Sequence, residues 1–108
     1  MFKTDKTNFL RYIGLARKAG KVILGSDNIY EKMHTKNACA VFVSKNASDN
    51  TKKKLTNRAL HTNTDLFIVD IDSEEMGKAV GKELTSCIGI TDENFKTLIT
   101  KTIHSLAE

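Results

Sequence analysis

Proline and tryptophan are absent from this 108-residue chain, cysteine occurs twice, and aromatic residues are few. Each scarcity excludes something. The cysteines, Cys39 and Cys87, are far apart, each inside an apolar stretch. They offer no disulfide framework, no C-x-x-C redox motif and no zinc site. They are expected to be reduced thiols acting as small apolar residues. Without proline, segment ends must be read from Gly, Asn, Asp and Ser. No apolar run approaches the roughly 20 residues needed to cross a bilayer. Residues Met1 to Lys6 have no apolar core of the signal-peptide type. The expected setting is therefore the cytoplasm, with no membrane partner. The few aromatics form no stacking platform and no aromatic–glycine motif, which excludes the common single-strand RNA module.

Catalytic motifs are missing too. Gly77-Lys78-Ala79-Val80-Gly81-Lys82 has three residues between its glycines and is followed by Glu83. A phosphate-binding P-loop needs four, with Ser or Thr after the lysine. The segment reads better as a helix whose small residues allow close packing. No G-x-G-x-x-G follows a strand, and no G-x-S-x-G elbow exists. His34, His61 and His104 lack helical metal-site spacing. The first two suit helix C-terminal ends. Glu74-Glu75 and Asp92-Glu93 sit where helices begin, which dipole complementarity explains. The chain is not expected to be an enzyme, and no cofactor or metal is implied.

What is present is a charge asymmetry. Residues 1–61 hold 13 Lys+Arg against 4 Asp+Glu, and residues 62–108 hold 4 against 9. The first part is thus suited to a polyanion. Apolar periodicity adds an architecture. Phe9, Ile13 and Ala16 share one helical face, with Thr7 or Asp5 as cap and Gly20 as stop. Val22-Ile23-Leu24 reads as a short strand. Ser26 or Asp27 would cap the next helix, which carries Ile29 and Met33 and ends at Asn37. Residues 38–43 and 66–71 read as buried strands, and Cys87 to Ile90 as another. Between them, Ser48 caps a helix with Leu55 and Ala59 inward, and Ser73 opens a short one with Met76 and Val80. Asp92 or Thr91 caps a last helix with a stripe of Phe95, Leu98, Ile99, Ile103 and Leu106. Strands alternating with amphipathic helices predict a single α/β domain over 1–108, a three-layer α/β/α sandwich. Antiparallel pairing of one short strand stays open.

The strongest functional signal is Arg17-Lys18-Ala19-Gly20-Lys21 leading through Val22-Ile23-Leu24 into Gly25-Ser26-Asp27-Asn28. It sets cations near a glycine turn and a helix start. Free N–H groups and the positive end of the helix dipole favour phosphate there. Asp27 and Asn28 add groups suited to base edges, while lysines fix register on the backbone. The simpler reading is a capped helix with solvated lysines. Lys52, Lys53 and Lys54 lie on a different helix, where water is the simpler partner than an extended RNA.

At these residues the chain resembles the kink-turn RNA-binding ribosomal proteins, a family that includes archaeal and eukaryotic large-subunit proteins and the core protein of box C/D particles. The resemblance rests on Leu15 to Val22, Leu24-Gly25, Ala47 to Leu55, Met76 to Lys82 and Ile88 to Asp92. It is greatest to small bacterial stand-alone members of the YlxQ type and covers about residues 8–106. It implies a mixed four-stranded central sheet. It further implies an RNA site made by the helix start after the first strand and the loop before the last. Carried over, Gly25, Ser26, Asp27 and Asn28 occupy the helix start. Lys18 and Lys21 occupy flanking cationic positions, with Lys45 as a further phosphate contact. Leu84, Thr85, Ser86 and Cys87 occupy the loop that shelters an extruded nucleotide.

Two departures stand out. Strong kink-turn binders carry Asn-Glu where this chain has Asp27-Asn28, and a lysine where it has Glu31. Its loop is also more polar, through Thr85 and Ser86. These differences predict weaker or altered kink-turn preference. The implied function is non-catalytic binding of structured RNA by a monomer associated with the ribosome or translation. The alternative is a protein–protein adaptor that keeps the fold.

Overall fold

The computed structural model describes residues 1–105. The elements in chain order are β1 (Phe2–Thr4), α1 (Lys6–Lys18), β2 (Val22–Leu24), α2 (Ser26–His34), β3 (Ala40–Val43) and α3 (Asp49–Thr62). They continue as β4 (Asp65–Ile68), α4 (Ser73–Val80), β5 (Cys87–Ile90), α5 (Glu93–Thr100) and β6 (Ile103–Ser105).

The central sheet has four strands in the order β2-β5-β3-β4. β3 and β4 are parallel, while β5 is antiparallel to both β3 and β2. The sheet is therefore mixed. Every residue of β3 and β5 is buried, which is why these strands are apolar throughout instead of alternating. Helices cover both faces. Phe9, Ile13 and Ala16 of α1, Met76 and Val80 of α4 and Ile99 of α5 pack on one face against Phe42, Ile88 and Ile90. Ile29 and Met33 of α2 with Leu55 and Ala59 of α3 pack on the other against Val41, Val43 and Cys87. Each fully buried Ile or Leu of these stripes contributes about 1.5–3 kcal/mol of transfer free energy. The result is the expected α/β/α sandwich.

Caps explain most boundaries. Asp5 accepts from the Asn8 amide, Ser48 from Thr51, and Asp92 from Asn94 and Phe95. Asp72, not Ser73, caps α4 and forms a reciprocal capping box with Glu75. Lys36, with φ of 61°, turns the chain after α2 ahead of Asn37.

Three expectations need correction. β1 has too few apolar residues to stand out in sequence, and its partner is distant. It pairs antiparallel with β6, with Phe2 opposite Ser105. The last helix stops at Thr100, because Thr102 turns back to bond the Ile99 carbonyl and Ile103 enters β6. Ile103 therefore leaves the helical stripe, and Leu98 is 40% exposed; Leu106 lies outside the described residues. Finally, β4 ends at Ile68, and the buried Val69 and Ile71 belong to the connection that follows.

Candidate nucleic-acid interface

The turn between β2 and α2 depends on Gly25, whose φ of 90° and ψ of 129° is closed to residues with a side chain. Gly25 itself is the N-cap, so neither Ser26 nor Asp27 caps this helix, and among the described residues no side chain bonds its first amides. Those N–H groups stay available to an external acceptor. Asn28 donates from Nδ2 to the Leu24 carbonyl at 3.1 Å. That bond orients its amide, with the side-chain oxygen as the remaining acceptor. Asp27 is almost fully exposed and pairs with Lys54 of α3 at 2.8 Å. The hydrogen bond and charge of Lys54 hold the Asp27 carboxyl below its ordinary range. Lys54 thus offsets a carboxylate that would otherwise repel phosphate.

The second wall is the loop between α4 and β5. Gly81, with φ of 75°, ends α4 in the left-handed region. The chain then doubles back over α4, and the Lys82 amide bonds the Gly77 carbonyl at 2.8 Å. A Cβ on Gly77 would lie 2.8 Å from the backbone oxygens of Lys82 and Glu83. The glycine therefore permits the crossing, which is the close packing its motif suggested. Thr85 is buried, and its amide bonds the Ser73 carbonyl. Leu84 instead projects, with 66% of its surface exposed. The presented face of the loop is thus more apolar than Thr85 and Ser86 suggest in sequence. Burial pushes the Cys87 thiol up, which disfavours the thiolate.

The two walls meet. Leu24, Gly25, Lys82, Leu84, Thr85, Ser86 and Cys87 line one open cleft of about 250 Å³. Gly25 and the four loop residues singled out in sequence come together here. Ser26, Asp27 and Asn28 follow Gly25 in the first turn of α2, and Glu31 lies exposed one turn on. Lys45 stands at the same end of the sheet, because the adjacent Ser44 amide bonds the Ser86 carbonyl. Lys21 does not join them. The Lys21 carbonyl accepts from Thr91 at the opposite end of β2. Four residue steps of extended chain put Lys21 about 13 Å from Gly25 at the usual rise of a strand. Sequence proximity suggested a cluster that the strand pulls apart. The cations actually beside the cleft and helix start are Lys82 and Lys54. The only sequence signal for Lys82 was its place after the second glycine of the failed phosphate-loop motif.

Among the described residues, no cluster of His, Cys, Asp and Glu could hold a metal, and no helix is long and apolar enough to cross a membrane.

An α/β/α sandwich with a mixed sheet and a cleft between the β2–α2 turn and the loop before β5 defines a class. The chain belongs to the ribosomal protein L7Ae/L30e/S12e/Gadd45 family, whose model matches residues 7–100. This family is non-enzymatic. Within it, the chain is similar to proteins called RNA-binding protein YlxQ. It is 30% identical to that of Bacillus subtilis (strain 168) over 83 residues, covering 77% of this chain and 82% of the relative. It is 32% identical to that of Enterococcus faecium over 96 residues, covering 88% and 90%. Solved structures share the fold. A protein of unknown function from Bacillus halodurans superposes with TM-score 0.82 at 24% identity, over 87% of this chain and 94% of that one. The Giardia lamblia 15.5kD RNA binding protein superposes with TM-score 0.72 at 12% identity, over 89% and 85%.

Proposed function

We propose that this protein binds structured RNA without chemistry on it, prefers a sharply bent, kink-turn-like element, and acts in association with the ribosome or translation. The observation that carries the reading is the meeting of the uncapped α2 start and the Leu84–Cys87 loop in one cleft. The open amides suit phosphate or base-edge acceptors at the bend. Exposed Leu84 offers an apolar cover to an unstacked base, and Lys82 adds charge at the rim. The naming of similar proteins as RNA-binding supports the same reading. The adaptor alternative is motivated by Glu31 and the polar loop; the burial of Thr85 weakens the second, while Glu31 stays exposed on α2.

Fluorescence titration at fixed salt tests this. A labelled kink-turn RNA should bind about tenfold or more tightly than the same strands with the bend straightened, a difference near 1.4 kcal/mol. Equal affinity for both would refute the preference and favour a protein partner.

A further inference from the structure

Outside the cleft, the most unusual arrangement lies where α2 packs beside α3. The Tyr30 ring holds two cations, the Arg58 guanidinium at 4.1 Å and the Lys54 ammonium at 5.1 Å from its centroid. Ring contact stabilises each of them modestly. Gathering like charges opposes that gain. Asp27 compensates Lys54, whereas Arg58 makes a single hydrogen bond among the described residues, from Nε to the Tyr30 carbonyl at 3.4 Å. Among the described residues its terminal amino groups have no hydrogen-bond acceptor. Asp27 and Glu31 of α2 are the acidic side chains next to this pair, and α3 outweighs them with cations. α3 carries Lys52, Lys53, Lys54 and Arg58 against Asp49 alone. Lys52 bonds the Lys45 carbonyl at 2.7 Å, which brings that end of α3 to the cleft end of the sheet.

A guanidinium already held 4.1 Å from an aromatic ring centroid loses little further freedom when it meets phosphate oxygens. The face also continues from the cleft without a gap. Gly25 lines the cleft, Asp27 follows in the same helical turn, and Lys54 grips Asp27. Sequence spacing had put the lysine cluster apart from the site; the ion pair joins them.

We infer that the α2–α3 face, with Arg58 and Lys54 seated on Tyr30 and Lys53 beside them, is a second RNA-contacting surface that tracks the sugar–phosphate backbone of a duplex stem leaving the cleft. The inference rests on the RNA-binding reading above and extends it from the bend to a flanking stem. Contact is with phosphate, so this face adds affinity and orientation but reads no sequence.

Three RNAs test it: a kink-turn with stems trimmed close to the bend, the same kink-turn with one stem extended, and a plain duplex equal to that stem. Arg58→Gln and Lys53→Gln are compared with the unaltered protein across a salt series. Lys53 is exposed, so its variant keeps the fold, and Arg58→Lys keeps the charge. The unaltered protein should bind the extended RNA about tenfold more tightly than the trimmed one, and each charge-removing variant should flatten the salt slope for the extended RNA by about one unit. Both variants should leave the trimmed RNA unchanged, and Arg58→Lys should recover most of the loss. A gain from extension that survives both substitutions, no gain at all, or equal weakening of trimmed and extended RNA overturns the inference while leaving the cleft reading intact. Loss of bend preference with duplex binding still sensitive to Arg58→Gln overturns the cleft reading and keeps this one. Failure to bind any of the three overturns both.

Discussion

Asn28 illustrates how one side chain can serve fold and recognition together. Its Nδ2 is committed to the Leu24 carbonyl, which leaves Oδ1 as a fixed acceptor at the helix start. Asn28→Ala should therefore reduce discrimination between a bent RNA and its straightened control by several-fold. Thermal stability should change little, since the bond is exposed. Titration of both RNAs beside a melting curve checks this, and an unchanged ratio would remove Asn28 from the reading face. At this scale the sequence was partly legible. Gly25 was visible as a turn residue, because the chain reverses from strand to helix there. That it displaces Ser26 and Asp27 as cap was not, since all three satisfy the same pattern. The fate of Thr85 was also hidden. A threonine is polar by type, and only its burial in the folded loop shows that it is turned from solvent.

Among elements, α4 governs the cleft although it lines none of it. The return of the chain over Gly77 leaves no room for a methyl group. Gly77→Ala should thus displace the Lys82–Thr85 loop, cost about 1–3 kcal/mol as overpacking does, and weaken RNA binding. Gly81 has open space around it, so a substitution there would be opposed by its positive φ and not by a clash. The same helix predicts a pH effect. Hydrogen bonds from the Glu75 and Glu74 amides hold the Asp72 carboxyl below its ordinary range. Because that value is depressed in the folded state, the ionised cap stabilises at neutral pH. The benefit fades as pH falls below the usual carboxylate value of about 3.9. Asp72→Asn should lower the melting temperature at pH 7, and the gap to the unaltered protein should close in acid. A gap that widened on acidification would contradict the assignment. Helices and buried strands were largely readable, because periodicity and caps are local. Ser48, Asp5 and Asp92 act where their positions suggested. β1 and β6 escaped, because each is three residues long and is defined only by the other.

For the whole molecule, the apolar pattern fixed the sandwich, but periodicity cannot say which strands are parallel. The mixed sheet followed from family resemblance and is what the strand pairing shows. The candidate site was legible in its two chain segments and not in its charge. Lys21 lies a strand length from Gly25, whereas Lys54 and Lys82 arrive from other parts of the chain. No local pattern can announce a neighbour brought by tertiary packing.

The two-stranded ribbon of β1 and β6 closes this architecture from outside the main sheet. Phe2 makes one bridge to Val69, and the Asp70 carboxylate accepts from Thr4 through both its amide and its hydroxyl. Phe2 also packs edge-on against Phe67, and Ile103 packs against the core, so the ribbon is held at a few points and can open there while the interior stays intact. Deuterium should reach the amides of Thr4 and Asp5 in one early, cooperative event. Those of Val41, Phe42 and Ile88 should take it up only when the entire chain unravels. Uniform labelling rates across both groups would mean that the ribbon is welded to the interior instead of hinged upon it.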